Sequence, residues 1–126
     1  PEQKPVSADL KAFGDFIKSR RTINFFKPPP VPDELVMKAI KVARWAPNHK
    51  KTEPWHFHLL GGSAREKVIE LITEIKSEGK QAKQAAVRKR LDGIPGWLVL
   101  SSAVSADPVQ QMEDYAACAC AAQNIN

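Results

Sequence analysis

Two polar clusters in the first half of the chain carry the side chains best suited to hold an anionic ligand. The first is SRRTIN, residues 19–24, where a predicted helix gives way to extended chain. A phosphate group needs guanidinium forks and short hydroxyl donors close together, and Arg20, Arg21 and Thr22 provide both. The alternative is a solvated basic helix end, where arginine also complements the helix dipole.

The second cluster is a polar loop bounded by prolines, with the sequence WAPNHKKTEPW over residues 45–55. It follows a predicted helix and enters a predicted strand. Exposed amides, an imidazole and ammonium groups in such a loop suit the carbonyl and phosphate groups of a cofactor. The alternative is an ordinary surface loop whose two tryptophans anchor it to the core.

Two further sets of side chains are weaker candidates for chemistry. His56 and His58 alternate along a predicted strand and share one face. No carboxylate stands at a convincing spacing from them, so we expect a solvent-facing pair and no metal. Cys118 and Cys120 point to nearly opposite sides of a predicted helix, so they suit neither a disulfide nor a shared metal. We expect two buried, unreactive thiols.

Charge and hydropathy restrict the class of partner. The chain of 126 residues has 19 basic and 14 acidic side chains and a net charge of +5, which favours an anionic ligand. No helix-turn-helix, zinc or aromatic-stacking signature accompanies this charge, so we do not expect nucleic-acid binding. No apolar run approaches the length of a membrane span, and the first residues do not resemble a signal peptide. We therefore expect a cytoplasmic protein without a membrane partner.

Hydrophobic periodicity and turn signals predict the elements that position these clusters. The expected order is a loose arm at 1–6, a helix from 7 to about 21 capped by Ser7, an extended segment at 21–26, a proline-rich connector at 27–32, a helix from 32 to about 45, the polar loop, a strand at 55–60, a helix from 63 capped by Ser63, a charged helix at about 77–91, a turn at 92–96, a strand at 97–104 and a final helix from 107.

Two of these elements need extensive burial. The nearly continuous apolar run at 97–104 is typical of a strand covered on both faces. The final helix is alanine-rich and almost uncharged after Asp114, so it too requires burial on most sides. The chain stops at Asn126 within this pattern and without a helix C-cap, so we expect further sequence beyond it.

The order and spacing of the two polar clusters resemble the nitroreductase family. In that family an early RRS segment is followed by a loop of the form APSxxNxQPW or APxHxxxxPW, and here RRT at 20–22 is followed by APNHKKTEPW at 46–55. The intervening helix, the apolar strand at 97–104 and the helix around EDYA also match. The resemblance covers residues 10–126.

The resemblance implies an α+β fold with a central antiparallel or mixed sheet flanked by helices. It implies a homodimer formed through long helices, with FMN at the interface and contacted by both subunits. Residues 1–126 would be a single domain of this fold that lacks its C-terminal third.

The resemblance also implies roles for individual residues. By position, Arg20, Arg21 and Thr22 would hold the phosphate and ribityl side of FMN. Trp45 and His49 occupy loop positions that in related proteins reach the flavin of the partner subunit. Asn48 and Lys51 are further cofactor-binding candidates in the same loop, and one of the basic side chains of residues 80–90 could approach FMN.

The implied function is electron transfer from NAD(P)H through FMN to nitroaromatic, quinone or related acceptors by a ping-pong mechanism, with no catalytic side chain. The alternative is a truncated flavin-binding or non-catalytic domain of this fold. Three positions depart from the family pattern. Thr22 replaces serine and keeps the hydroxyl, Asn24 replaces a common lysine or arginine, and Glu53 replaces a common glutamine.

Overall fold

The structure of this protein is a computed structural model that describes residues 8–126. The predicted arm at 1–6 and the predicted N-cap Ser7 lie outside the described residues. The elements in chain order are α1 (Ala8–Ser19), α2 (Asp33–Ala43), β1 (Trp55–Leu60), α3 (Gly62–Ser77), α4 (Gln81–Asp92), β2 (Trp97–Ser102) and α5 (Pro108–Ile125). The α+β class predicted from the sequence is confirmed.

The two strands form an antiparallel sheet in which Trp55 lies opposite Ser102 and Leu60 opposite Trp97. Because side chains alternate along a strand, Trp55 and Phe57 share a face with Leu100. That face packs on α5, which in turn packs on α2.

The core lies between this sheet face and the two helices. It is built around Trp55 and small side chains that let the helices approach closely: Ala43, Ala46, Ala117, Cys118 and Ala121. The alanine-rich stripe of α5 therefore serves the contact with α2 and the sheet on one side of the helix. Ala116 and Ala119 on its other side are exposed, so the expected burial on most sides is not observed.

Local signals account for the starts of α2 and α5. Pro32 precedes α2 and its carbonyl oxygen accepts hydrogen bonds from the amides of Leu35 and Val36. Asp107 caps α5 by accepting a hydrogen bond from the Val109 amide at 2.9 Å, and Pro108 fills the first helical position. Proline suits that position because its missing N–H would have no helical partner.

Helices α3 and α4 pack on each other as a hairpin. The turn between them contains Glu78 and Gly79 in the left-handed region, with φ of 53° and 75°. Arg88 on α4 joins the helices through an ion pair with Glu66 at 2.6 Å. Hydrogen bonds from Arg88 raise the pKa of this guanidinium above its usual value, and the bond to Asp92 contributes more than the bond to Glu66.

Three expectations about local structure are wrong. Gly61, and not Ser63, is the N-cap of α3, since that helix starts at Gly62. The strand at 97–104 ends at Ser102, and its second face, which carries Val99 and Ser101, is partly exposed because α2 and α5 cover one face only. Cys118 is buried as expected, whereas Cys120 is exposed.

The apolar side of α1 is also exposed. Leu10, Phe13 and Ile17 recur at the predicted helical spacing, yet about half or more of each side chain is accessible. Within residues 8–126, no helix combines the length and apolar character that a membrane span requires.

We expect the contact between α2, α5 and the sheet to reject larger side chains. Ala121 is fully buried there, so Ala121→Leu should lower the free energy of unfolding by about 1–3 kcal/mol through overpacking. The matched substitution Ala86→Leu on the exposed side of α4 should change it by less than about 0.5 kcal/mol. Urea unfolding measures both, and equal midpoints would contradict this account of the core.

Candidate cofactor-binding site

The arginine segment, residues 20–24, follows the end of α1 and is fully exposed. Arg21 donates from Nη1 to the carbonyl oxygens of Lys18 at 2.7 Å and Arg20 at 2.8 Å. The positive charge of Arg21 therefore complements the dipole at the C-terminus of α1. This role is the alternative that the sequence analysis gave for the basic cluster. The side chains of Arg20 and Thr22 have no hydrogen-bond partner among residues 9–126, so their donors are available to a ligand.

The polar loop leaves α2 with one tryptophan outward and ends with the other inward. Trp45 is 88% exposed, whereas Trp55 is 7% exposed and belongs to the core. The loop is thus anchored at its second end only. The Trp45 indole therefore projects into solvent at the start of the loop.

The loop backbone adopts an unusual conformation between these tryptophans. Lys50, Lys51 and Glu53 have positive φ values of 57°, 53° and 45°. Each residue other than glycine in the left-handed region costs about 1–2 kcal/mol. Backbone strain of this kind clusters at functional sites and persists only where surrounding contacts impose it.

A buried carboxylate supplies the main contact that imposes this loop conformation. Asp114 of α5 is 4% exposed, and its Oδ1 accepts from Thr52 Oγ1 at 2.6 Å and from Gln110 Nε2 at 2.8 Å. Because the Thr52 hydroxyl has one hydrogen, the Asn48 amide is best satisfied with its nitrogen toward Thr52 Oγ1 at 3.0 Å and its oxygen toward the Glu53 amide at 2.7 Å.

Two further contacts hold the rest of the loop. Arg44 Nη2 pairs with Glu53 Oε2 at 3.2 Å, which neutralises the charge that Glu53 brings to this loop. The buried Pro54 accepts a hydrogen bond at its carbonyl oxygen from the Ala103 amide at 2.7 Å, which joins the loop to the end of β2. The contacts leave His49, Lys50 and Lys51 exposed on the outer side of the loop.

The described chain presents the two clusters separately. Within residues 9–126 no hydrogen bond or ion pair joins the arginine segment to residues 45–55. The same range contains no ion pair for Arg20, Arg21, Lys50 or Lys51, so four cationic side chains have no carboxylate partner. Their convergence around one ligand stays a prediction, as do the individual cofactor-binding assignments.

An apolar cleft of about 600 Å³ lies apart from both clusters. The connector, the first half of α2 and the ends of the strands line it through Phe26, Val31, Leu35, Leu60 and Trp97, among others. It contains none of the seven predicted cofactor-binding residues, but it shows that the connector lies at the N-terminal end of α2.

The histidines do not assemble a metal site in the described part of the chain. His56 and His58 are exposed, as predicted, and the second of them lies 2.9 Å from the hydroxyl of Ser101 through Nε2. No cluster of three or more His, Cys, Asp or Glu side chains suited to a metal is found in residues 8–126.

Asp114 and Gln110 are the site residues that the sequence reasoning missed. The available signal was an acidic pair, Glu113 and Asp114, at the start of an otherwise alanine-rich stretch, with an amide side chain one helical turn before Asp114. A carboxylate buried in such a helix must be hydrogen-bonded. Nothing in the sequence identified Thr52, 62 positions away, as its partner.

Comparisons with known proteins agree with this architecture. A model of the nitroreductase family matches residues 17–126. YfhC of Bacillus subtilis, described as a candidate NAD(P)H nitroreductase, is 28% identical over 116 residues, which cover 88% of this chain and 60% of that protein. A chloronitrobenzene nitroreductase of Comamonas testosteroni is 40% identical over 60 residues, which cover 48% of this chain and 26% of the relative.

A solved structure shows the same fold. The nitroreductase-like family protein from Bacillus cereus superimposes with a TM-score of 0.79 at 28% sequence identity, over 99% of this chain and 65% of the other. The chain thus spans three fifths of the length of the Bacillus subtilis relative and just under two thirds of the Bacillus cereus structure.

We expect Asp114 to hold the polar loop in place. Asp114→Ala removes the buried acceptor of the hydrogen bonds from Thr52 and Gln110, so it should lower the free energy of unfolding by about 1–3 kcal/mol, because hydrogen bonds to charged groups contribute roughly that much. It should also accelerate hydrogen exchange of the Glu53 amide. Asp114→Asn keeps an acceptor and should cost less. The surface change Asp15→Ala should have almost no effect, and an Asp114→Ala protein with the same exchange rate would refute the anchor.

Proposed function

The chain belongs to the nitroreductase family, and on that premise we propose that it binds FMN and acts as an oxidoreductase. In this proposal electrons pass from NAD(P)H to nitroaromatic, quinone or related organic acceptors by a ping-pong mechanism, and residues 1–126 form one domain. The observation that carries the proposal is that the described chain has guanidinium and hydroxyl donors without carboxylate partners at residues 20–22 and a cationic loop at 48–53 that is hydrogen-bonded to Asp114.

The donor set of the arginine segment fits the phosphate of FMN. A phosphate monoester carries nearly two negative charges and accepts several hydrogen bonds. Arg20 and Thr22 have free side-chain donors, and Arg21 keeps its charge although its Nη1 serves two backbone carbonyls. Guanidinium groups bind phosphate more specifically than ammonium groups because their fork matches two oxygens.

The polar loop fits the ring side of the same cofactor. Trp45, His49 and Lys51 are exposed on a loop whose Thr52 hydroxyl is hydrogen-bonded to the buried Asp114. A fixed loop presents an indole, an imidazole and an ammonium group without a large loss of conformational entropy on binding. Asn48 belongs to the set through its hydrogen bonds within the loop, which orient the residues that follow it.

FMN when bound supplies the electron-transfer chemistry, and the protein supplies binding, orientation and electrostatics. No side chain in the described site combines a nucleophile with a base, so we assign no catalytic residue to residues 8–126. The positive charge of Arg20, Arg21 and Lys51 would favour the anionic groups of the cofactor, and the ion pair of Arg44 with Glu53 limits the opposing charge.

A second subunit is the simplest way to bring the two clusters together, and we propose a homodimer. The arginine segment leads through the connector to the N-terminal end of α2, whereas the loop leaves from its C-terminal end. Eleven helical residues separate those ends by about 16 Å. The loop of one subunit can meet the arginine segment of the other, and such a dimer would cover Trp45. The expected cytoplasmic location stays a prediction.

The absorbance spectrum of the purified protein tests this function. We expect flavin bands, either as isolated or after addition of FMN, that bleach when NADH or NADPH is added without oxygen. Flavin bands that neither nucleotide bleaches would support the alternative of a flavin-binding domain without catalysis. Absence of any bound flavin at micromolar FMN would refute the proposal.

Loss of one arginine should weaken FMN binding selectively. Arg20→Ala removes a charge-assisted pair with phosphate, worth about 1.5–3 kcal/mol, so the dissociation constant should rise by at least about tenfold. Lys76→Ala on the exposed side of α3 removes the same charge elsewhere and should leave the constant unchanged. Titration of flavin fluorescence measures both. Equal effects would argue against the phosphate site at residues 20–22.

A further inference from the structure

A side chain from a distant part of the sequence lies against the arginine segment. Arg90, in the last turn of α4, donates from Nη2 to Asn24 Oδ1 at 3.0 Å across 66 positions of sequence. Building on the function proposed above, we propose that Arg90 is a third guanidinium of the FMN site. Its charge lies beside the flavin ring and stabilises the anionic, reduced form of the cofactor.

The C-terminal end of α4 is held by several contacts, and these contacts also fix the backbone position of Arg90. Leu91 next to it is buried. Arg65 of α3 donates to the carbonyl oxygens of Asp92 at 3.2 Å and Ile94 at 3.1 Å, so the chain leaving α4 is tied to α3. The contact with Asn24 therefore joins a well-anchored helix end to the otherwise exposed arginine segment.

The charge of Arg90 is not used within the described chain. Arg88, two positions before it in α4, is neutralised by Glu66 and Asp92. Within residues 9–126 the Arg90 side chain hydrogen-bonds only to the neutral amide of Asn24, and no carboxylate of that range lies within ion-pair distance of it. An amide oxygen can orient a guanidinium without cancelling its charge, whereas an aspartate at position 24 would cancel it.

Arg20 and Arg21 also lack carboxylate partners in the described residues, so Arg90 adds a third cation to one short stretch of chain. The five residues from Arg20 to Asn24 are joined by four Cα–Cα steps, which span at most about 14 Å. Several cationic side chains along so short a segment create a positive potential that attracts anions. A ligand with negative charge at more than one point would satisfy all three groups.

The position of Asn24 favours the ring over the phosphate as the group that Arg90 serves. Arg20, Arg21 and Thr22 already provide the donors that a phosphate needs, and Asn24 lies two residues farther along, up to about 7 Å beyond Thr22. Reduction adds negative charge to the ring, and a nearby cation stabilises the charged form of such a group. Arg90 would thus act on the reduced cofactor more than on the oxidised one.

The test measures the affinity of the purified protein for oxidised FMN by fluorescence titration and the two-electron potential of the bound FMN. Arg90→Gln should weaken binding of reduced FMN about tenfold more than binding of oxidised FMN, which lowers the potential by about 30 mV. Arg90→Lys should restore part of the loss because it keeps the charge. Asn24→Ala should reproduce part of it because Arg90 loses its hydrogen-bond acceptor.

The matched control is Lys89→Gln, which removes the same charge from the neighbouring exposed position of α4 and should leave both quantities unchanged. An Arg90→Gln protein that behaves like this control would overturn the inference while leaving the proposed function intact. An equal loss of affinity for both oxidation states would place Arg90 on the phosphate and overturn the assignment to the ring. A wild-type protein that binds no FMN would refute the proposed function and this inference together.

Discussion

The buried carboxylate of Asp114 is the constraint on which the polar loop depends. A carboxylate removed from water is costly unless its oxygens accept hydrogen bonds, and only Thr52 and Gln110 donate to it among the described residues. The Thr52 hydroxyl does so from a loop in which Lys50 and Lys51 before it and Glu53 after it are in the left-handed region. The polarity of one helix position thus determines the shape of a loop far away in sequence.

Arginine side chains offset two departures from the family pattern. Glu53 places a negative charge on the polar loop, and Arg44, at the other end of that loop, pairs with it at 3.2 Å. Asn24 lacks the positive charge that is common at its position, and its amide oxygen instead receives the guanidinium of Arg90. In both cases the charge near the proposed cofactor is set by a residue pair and not by the single position that a motif records.

Periodicity and turn chemistry were sufficient to predict the elements. The helix begun by Pro32, the strand at 55–60 and the helix begun by Asp107 occur where their local signals place them, because those signals act within one turn of the chain. The cap of α3 was misassigned because Gly61 and Ser63 both suit a helix start. The burial of the strand at 97–104 was overestimated because an apolar run shows that a strand can be buried on both faces, not that other elements cover both faces.

The site was less accessible to sequence reasoning, for a physical reason. A motif identifies side chains with suitable donors, such as Arg20 and His49, but the partners that fix them are long-range hydrogen bonds whose residues share no spacing. Asp114 with Thr52 and Arg90 with Asn24 are both of this kind. Neither pair could be found from local periodicity.

The separation of the two clusters by α2 has a consequence for how a complete site must form. The arginine segment precedes α2 and the loop follows it, and no hydrogen bond or ion pair joins the two clusters among residues 9–126. In a two-fold symmetric dimer, a contact between the loop of one subunit and the arginine segment of its partner occurs twice, because the symmetry axis repeats every contact. Two equal cofactor sites then follow from one contact, and Trp45 leaves solvent only when that contact forms. Cofactor binding and subunit association would therefore depend on the same exposed surface.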